Sequence, residues 1–209
     1  MKNIIIFFIQ LLFFFNVSLA HQWPDSTLAI CNTAKNTGYF SKEEKAVVFY
    51  LNLVRINPQL FAKTYLKSYI DTAAIKKTKY LESLIKELNE MKALTPIKPQ
   101  FDLYEVAKKH ATEMGNQGKT GHVSLSGENY ESRASDLSKR YEKVMENCQY
   151  GYNDGLSIVI DLLIDEEIPD VSHRKSLLNP EVKYIGAAIR KHKVYRYNCV
   201  IELGYKLKN

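Results

Sequence analysis

The residues whose types could do chemistry are two histidines and a scatter of carboxylates in the C-terminal two-thirds of the chain. Gly121-His122 comes first, then Glu146-Asn147, then the acidic run Asp165, Glu166 and Glu167. Last is Ser172-His173-Arg174, leading into Leu177-Leu178-Asn179-Pro180. Neutral imidazole binds Zn²⁺ and other borderline divalent ions at about 2.0–2.1 Å. A carboxylate on the second ring nitrogen fixes the tautomer that does so. The same residues could instead form a hydrogen-bonded brace across a cleft, with no ion. Hydrolysis would need a nucleophile as well. Ser124, Ser126 and Ser172 lie near the histidines in sequence, so a serine–histidine–acid arrangement can be drawn. No strand–turn–helix elbow presents any of them, however, and the His-Glu-x-x-His signature of a metalloprotease is absent.

Positioning these groups falls to elements that the hydrophobic pattern marks out. Ser41, with Glu43 and Glu44 behind it, is an N-cap for a helix whose apolar face is Val47, Val48, Leu51 and Val54. Asn57-Pro58 breaks and restarts that helix, and Leu60, Phe61 and Leu66 continue the stripe. Leu81, Leu84, Ile85 and Leu88 pattern a second helix. Asp102 is placed to cap a third, in which Leu103, Val106, Ala107, His110, Ala111 and Met114 share one face before Gly115 and Gly118 release the chain toward His122. On that stripe His110 reads as a packed core histidine. Residues 123–140 read as polar loop with a short helix, and Lys143–Cys148 as a short strand. Asp154 caps a helix through Ile158, Val159, Leu162 and Leu163, and Ser172 caps a short one. Period-two alternation around Val194, Arg196, Asn198 and Val200 closes the chain as a hairpin with Tyr184–Arg190. Lys191-His192-Lys193 is the expected turn, which would leave His192 exposed to solvent. Helices, a lone strand, more helices and a hairpin describe an α+β chain: a three-layer α/β/α sandwich with a central, mainly antiparallel sheet.

Composition narrows the setting. Lys2, the apolar run Ile4–Phe15 interrupted only by Gln10, and the small residues Ser18 and Ala20 form a secretory leader cleaved after Ala20. The polar His21-Gln22 follows too soon for a spanning helix of about 20 apolar residues, so the chain is not read as an integral membrane protein. Residues 1–20 are thus leader, 21–40 an extension without periodicity, and 41–209 one domain. The net charge of +6 is spread along the chain, with short clusters at Lys76-Lys77 and Arg190-Lys191. This is the pattern of solvated faces, not of a nucleic-acid groove. Three cysteines in an exported chain suggest one disulfide. Cys148 follows Glu146-Asn147 on its strand and Cys199 lies mid-strand in the hairpin, so these two are the expected pair. Cys31 is then free or intermolecular, and three unpaired thiols remain the alternative.

Taken in order, with a helix before and a hairpin after, these motifs resemble the CAP superfamily: cysteine-rich secretory proteins, antigen 5 and plant pathogenesis-related class 1 proteins. Ile185-Gly186-Ala187-Ala188 after Leu178-Asn179-Pro180 is similar to the bacterial secreted members. The resemblance runs from about Ser41 onward. It implies the same sandwich and a cleft where His122 and His173 face each other, sharing an ion if one binds, with Glu146 as first acid. Relatives place the second acid three residues after a tryptophan. Leu162 takes the tryptophan's slot, so Asp165 corresponds, one methylene short, with Glu166 and Glu167 as possible substitutes. Gly127-Glu128-Asn129 also looks like the family's glycine-glutamate-asparagine motif. Glu146 is preferred because Tyr150-Gly151 and a helix follow it. The resemblance implies a secreted, non-catalytic binding module, with Zn or another divalent cation weakly bound and a lipid, sterol or protein as ligand. The alternative is a metal-assisted or serine-type hydrolase acting on peptide or envelope polymer.

Overall fold

The computed structural model describes residues 22–208. The leader-like segment 1–20 lies outside them. Helix α1 (Asp25–Cys31) precedes α2 (Lys42–Ile56). A short α3 (Pro58–Phe61) then runs through a π-helical turn (Ala62–Leu66) into α4 (Lys67–Ala73). After α5 (Lys79–Glu90) come the two-residue strand β1 (Lys98–Pro99), the long α6 (Phe101–Gln117), and the small helices α7 (Tyr130–Arg133) and α8 (Ser135–Arg140). Strand β2 (Val144–Tyr150), α9 (Gly155–Ile164), α10 (Ser172–Leu177), β3 (Tyr184–His192) and β4 (Arg196–Gly204) complete the chain. The sheet order is β1-β3-β4-β2, with only the β1–β3 pair parallel. Helix α6 covers β3 and β4 on one face. Helices α2 and α9 pack together on the other, with α10 beside β2. This is the expected α/β/α sandwich, with β2 as an edge strand. No helix among the described residues is long and apolar enough to cross a membrane.

The starts of the helices follow their caps. Ser41 and Glu44 form a reciprocal capping box, and the Asn57 side chain accepts from Leu60 N–H with Pro58 in the first turn. Glu44 does more than cap. Its Oε1 accepts from Ile189 N–H at 2.9 Å and from Arg190 Nη1 at 2.8 Å, fastening α2 to β3. Close approach of α6 to β3 depends on Gly186, where a Cβ would lie 2.2 Å from the backbone of Leu103 and Tyr104. Any side chain there would push the two layers apart.

Four local expectations are corrected. Asp102 lies inside the first turn of α6 and does not cap it; it accepts from Arg140 Nη1 and from Tyr141 O–H, each at 2.9 Å, tying α6 to the end of α8. Ser172 does not cap α10; Val171 precedes it with φ +47° and no side-chain bond. The hairpin turn is Lys193–Tyr195, so His192 ends β3 and is buried. Burial follows from three bonds: Nε2 donates to Lys119 C=O, while Nδ1 accepts from Val194 and Tyr195 N–H. Lastly, residues 22–40, read as an extension without periodicity, include a helix and pack into the main core. Trp23, Cys31, Ala34 and Phe40 are buried in the main core, and Trp23 Nε1 donates to Thr64 Oγ1 at 3.1 Å. Asn52 Nδ2 donates to Cys31 C=O. Seven-residue α1 buries Cys31 alone, too little to show a period in the sequence.

One buried cation joins distant parts of this frame. Arg55, fully buried on α2, donates Nη1 to the carbonyls of Leu177 and Asn179, Nη2 to Val182 and Nε to Thr95. No carboxylate pairs with it among the described residues. Burial brings its pKa down to about 10, so it stays charged at neutral pH. Arg55→Ala would leave four carbonyls without their donor and open a cavity, which we expect to cost about 3–5 kcal/mol. Urea denaturation of the variant checks this, and a loss under about 1 kcal/mol would show that water replaces the guanidinium cheaply.

Candidate functional site

The site begins where α6 ends. Gly118 closes that helix with φ +68°, and Gly121, at φ +98°, turns the chain in a conformation that only glycine adopts easily. Gly121 is held from both sides: its N–H donates to Tyr150 Oη at 2.8 Å, and its C=O accepts from His110 Nε2 at 2.9 Å. The next residue, His122, is thereby set over β2, half-exposed. Its Nδ1 lies 2.8 Å from Glu146 Oε1. Glu146 is nearly sealed, with 1% of its side chain exposed. Arg133 Nη2 reaches both of its oxygens at 2.8 Å and also donates to His122 C=O. His110 Nε2 stands 3.9 Å away. Burial alone would raise the Glu146 carboxyl; the hydrogen bonds from His122 and Arg133, with the Arg133 charge, outweigh it and hold the group below the ordinary 4.5. Burial lowers the His110 pKa, keeping that ring neutral.

A second pair forms where α9 meets α10. Asp165 ends α9 in the left-handed region, at φ +56°. One carboxylate oxygen lies 2.7 Å from His173 Nδ1, and the other accepts from the N–H groups of His173 and Arg174. Asp165 therefore does the capping expected of Ser172. Of the three neighbouring acids it alone holds the histidine: Glu166 accepts from Thr78 Oγ1 and is exposed, as is Glu167. Arg174 fixes the corner. Its guanidinium donates to the carbonyls of Leu163, Ile164 and Tyr80, and to Ser83 Oγ.

The structure thus collects the four expected residues as two separate imidazole–carboxylate pairs, one from each helical layer, along the edge strand. Cys148 lies between them. Its Sγ is 3.8 Å from His122 Nδ1, and it lines the same cavity as Asp165 and His173. Glu128 is elsewhere, closing a loop through Ser124 and Ser126. Its neighbour Asn129 caps α7, the helix that delivers Arg133. Arg133 escaped the sequence reading because it sits in a polar stretch; the capping asparagine four residues earlier was the available signal. Glu202 escaped as well. It stands opposite Glu146 in the β2–β4 register and accepts from Tyr130 O–H at 2.8 Å.

The expected Cys148–Cys199 disulfide is not formed; all three cysteines are free. Cys148 pairs with Val200 and Cys199 with Gln149. Successive residues point to opposite faces of a sheet, so the two thiols are on different sides of it. Alkylation of the denatured chain without reductant should modify all three cysteines, and two unreactive residues would restore the bridge. Burial, with the charge of Glu146, pushes the Cys148 thiol well above its ordinary pKa, which disfavours the thiolate. Among the described residues, no serine hydroxyl bonds to either cleft imidazole.

Glu202 makes the site's pH response two-sided. Burial, reinforced by the charge of Glu146, raises its carboxyl well above 4.5. The folded chain then keeps a proton that the unfolded chain releases, so stability declines as pH rises above 4.5 toward the raised value. Glu146 acts oppositely, contributing stability above 4.5 that is lost as pH falls through its lowered value. Glu202→Gln should therefore raise the thermal midpoint at neutral and alkaline pH, with the gain shrinking on acidification toward 4.5. Thermal melts of both proteins across that range check it. A gain that does not depend on pH would assign the effect to packing.

With this geometry in view, comparison with known proteins is direct. The model of the cysteine-rich secretory protein family, CAP, matches residues 48–203. No curated protein matches. Among solved structures the chain is similar to an outer surface protein from Borrelia burgdorferi, at 23% identity over 61% of this chain and 89% of that one, with a TM-score of 0.45. It is similar also to an extracellular SCP-domain protein from Bacillus anthracis (20% identity, TM-score 0.45), covering 61% of this chain but only 39% of that one. Venom allergen-like protein 4 from Schistosoma mansoni aligns over 81% of this chain and 97% of its own, at 14% identity and a TM-score of 0.48. With the family model spanning most of the described residues, the chain belongs to the CAP, or cysteine-rich secretory protein, family.

Proposed function

We propose that this chain is a secreted, non-catalytic CAP binding module whose cleft along β2 takes a divalent cation through His122 and His173. One observation carries the reading. Each ring has Nδ1 committed to a carboxylate, Glu146 or Asp165, and no hydrogen bond among the described residues engages Nε2 of either. A carboxylate on Nδ1 holds the proton there and leaves the Nε2 lone pair for a metal, the usual arrangement around ligating histidines. The donor set fits a borderline ion such as Zn²⁺. A second candidate group, His110, Glu146 and Cys148, has ligating atoms within 4.8 Å of one another. It suits an ion less well: Arg133 occupies both Glu146 oxygens, His110 Nε2 is bonded to Gly121, and the thiol resists ionisation. Beside His122 a cavity of about 630 Å³ is walled in part by Val123, Tyr130, Ala134, Val144 and Met145. Its apolar wall suits a lipid-like ligand. Against hydrolysis stands the lack of an activated serine or cysteine. Export is supported by the leader-like N-terminus.

Calorimetric zinc titration tests the cation site. The wild type should bind modestly, with His122→Ala and His173→Ala each weakening affinity at least tenfold and Cys148→Ser leaving it unchanged. Binding should weaken on acidification, because a protonated imidazole has no lone pair to give. A chelator should leave the fold intact, since its core does not rest on an ion. Wild-type affinity in either alanine variant would sink the proposal, and loss in Cys148→Ser would move the ion to the buried group.

A further inference from the structure

The tip of the β3–β4 hairpin carries none of the four histidine–acid residues, yet it bears the most exposed large apolar side chain among the described residues. Val194 is 65% exposed and Tyr195 47%. Around them stand Lys191, Lys193 and Arg196, all exposed. Lys119, also exposed, joins them from the loop after α6, because its carbonyl accepts from His192 Nε2. The apex is built and held, not a loose turn. His192 Nδ1 accepts from both Val194 and Tyr195 N–H, and Lys193 N–H donates to Gly115 C=O at 3.0 Å. The Tyr195 ring packs on His192 and Tyr150. A Cβ on Gly118 would touch Val194 at 3.0 Å, so the tip lies close against the end of α6. The segments that meet here, 114–127, 149–153 and 189–201, contain no Asp or Glu.

We propose that this tip docks the protein on an anionic lipid surface, with Val194 and Tyr195 entering the headgroup region and the four cations lying over lipid phosphates. Charge complementarity alone would suit a soluble polyanion equally well. The two exposed apolar side chains favour lipid over a soluble polyanion: a bilayer interface offers them burial, and tyrosine is at home there. Their fixed presentation means that docking need not first order a loop. This contact is separate from the cation site and does not depend on it.

Vesicle flotation tests the proposal. The chain without residues 1–20 should float with mixed phosphatidylcholine–phosphatidylglycerol vesicles and not with phosphatidylcholine alone. At about 1 kcal/mol per basic residue near such a surface, Lys191→Gln with Lys193→Gln should lower partitioning roughly 30-fold. Lys86→Gln with Lys92→Gln, the same change of net charge on other exposed lysines, should leave it unaltered. Val194→Ser with Tyr195→Ser should also release the protein from vesicles, while the circular dichroism spectrum and thermal midpoint of that variant stay at their wild-type values. Equal effects from the two lysine pairs would overturn the proposal in favour of diffuse attraction by net charge. So would heparin binding and vesicle flotation that both survive the serine changes, which would make the tip a polyanion contact. Absence of flotation on either vesicle would overturn it outright.

Discussion

Everything distinctive about this site descends from the two-residue alternation of one edge strand. In β2, Glu146, Cys148 and Tyr150 face the α6 layer, where they meet His122 and Gly121. Asn147 and Gln149 face the opposite layer and bond to Ser176 and Asp161. Pairing with β4 carries the alternation across, so Glu202 comes to lie beside Glu146 and Cys199 turns away from Cys148. Shifting the register by one residue would exchange the faces and dismantle all of it at once. Because β2 has a neighbour on one side only, side chains from both helical layers can reach its free edge. Cavities open there, one beside His122 and another beside His173.

The electrostatic arrangement is costly by design of the fold. Glu44, Arg55, Glu146, Arg174 and Glu202 are all buried, and charges are seldom buried without partners. Four of them are answered by geometry. Glu44 is met by Arg190 and a backbone N–H, Arg55 and Arg174 mainly by carbonyls, and Glu146 by Arg133 and His122. Glu202 is the exception, with Oε1 unpartnered, and it answers by keeping its proton. Orphaned atoms gather in the same neighbourhood: His110 Nδ1 and Arg133 Nε also lack partners. A region so incompletely satisfied contributes less to stability than an apolar one of equal size. Its retention beside the cleft is consistent with a role in setting Glu146, whose charge holds His122 in place.

Legibility in the sequence divided along the same lines. Local pattern was readable: the N-cap at Ser41, the Asn57-Pro58 restart, the apolar stripe of α6 and the terminal hairpin all report on local backbone chemistry and on which face is buried. Family resemblance pointed to His122, His173, Glu146 and Asp165, and the structure arranges them as two pairs. What could not be read was anything settled by the parity of a strand or by a partner far away in sequence. The disulfide expectation weighed proximity to a landmark and could not see that Cys148 and Cys199 have opposite parity across β2 and β4. His192 looked solvent-exposed because its flanking lysines are, yet one strand residue more made it an interior ligand of backbone N–H groups. Arg133 and Glu202 carried no periodic signal at all.

The reach of the first long helix has a consequence for the order of events in folding. Arg55 finds three of its four carbonyls 122 to 127 residues downstream, and Glu44 finds the β3 amide 145 residues away. Helix α2 can form early, but Arg55 lacks most of its acceptors until residues 177–182 are in place, and Glu44 lacks Ile189 and Arg190 until β3 is. Contacts so distant in the chain are slow to close. A chain emerging from its N-terminus, whether from a ribosome or through a membrane, therefore spends most of its synthesis unable to complete its own core. Commitment to the native state comes last, with the strands that also carry the lipid-facing tip.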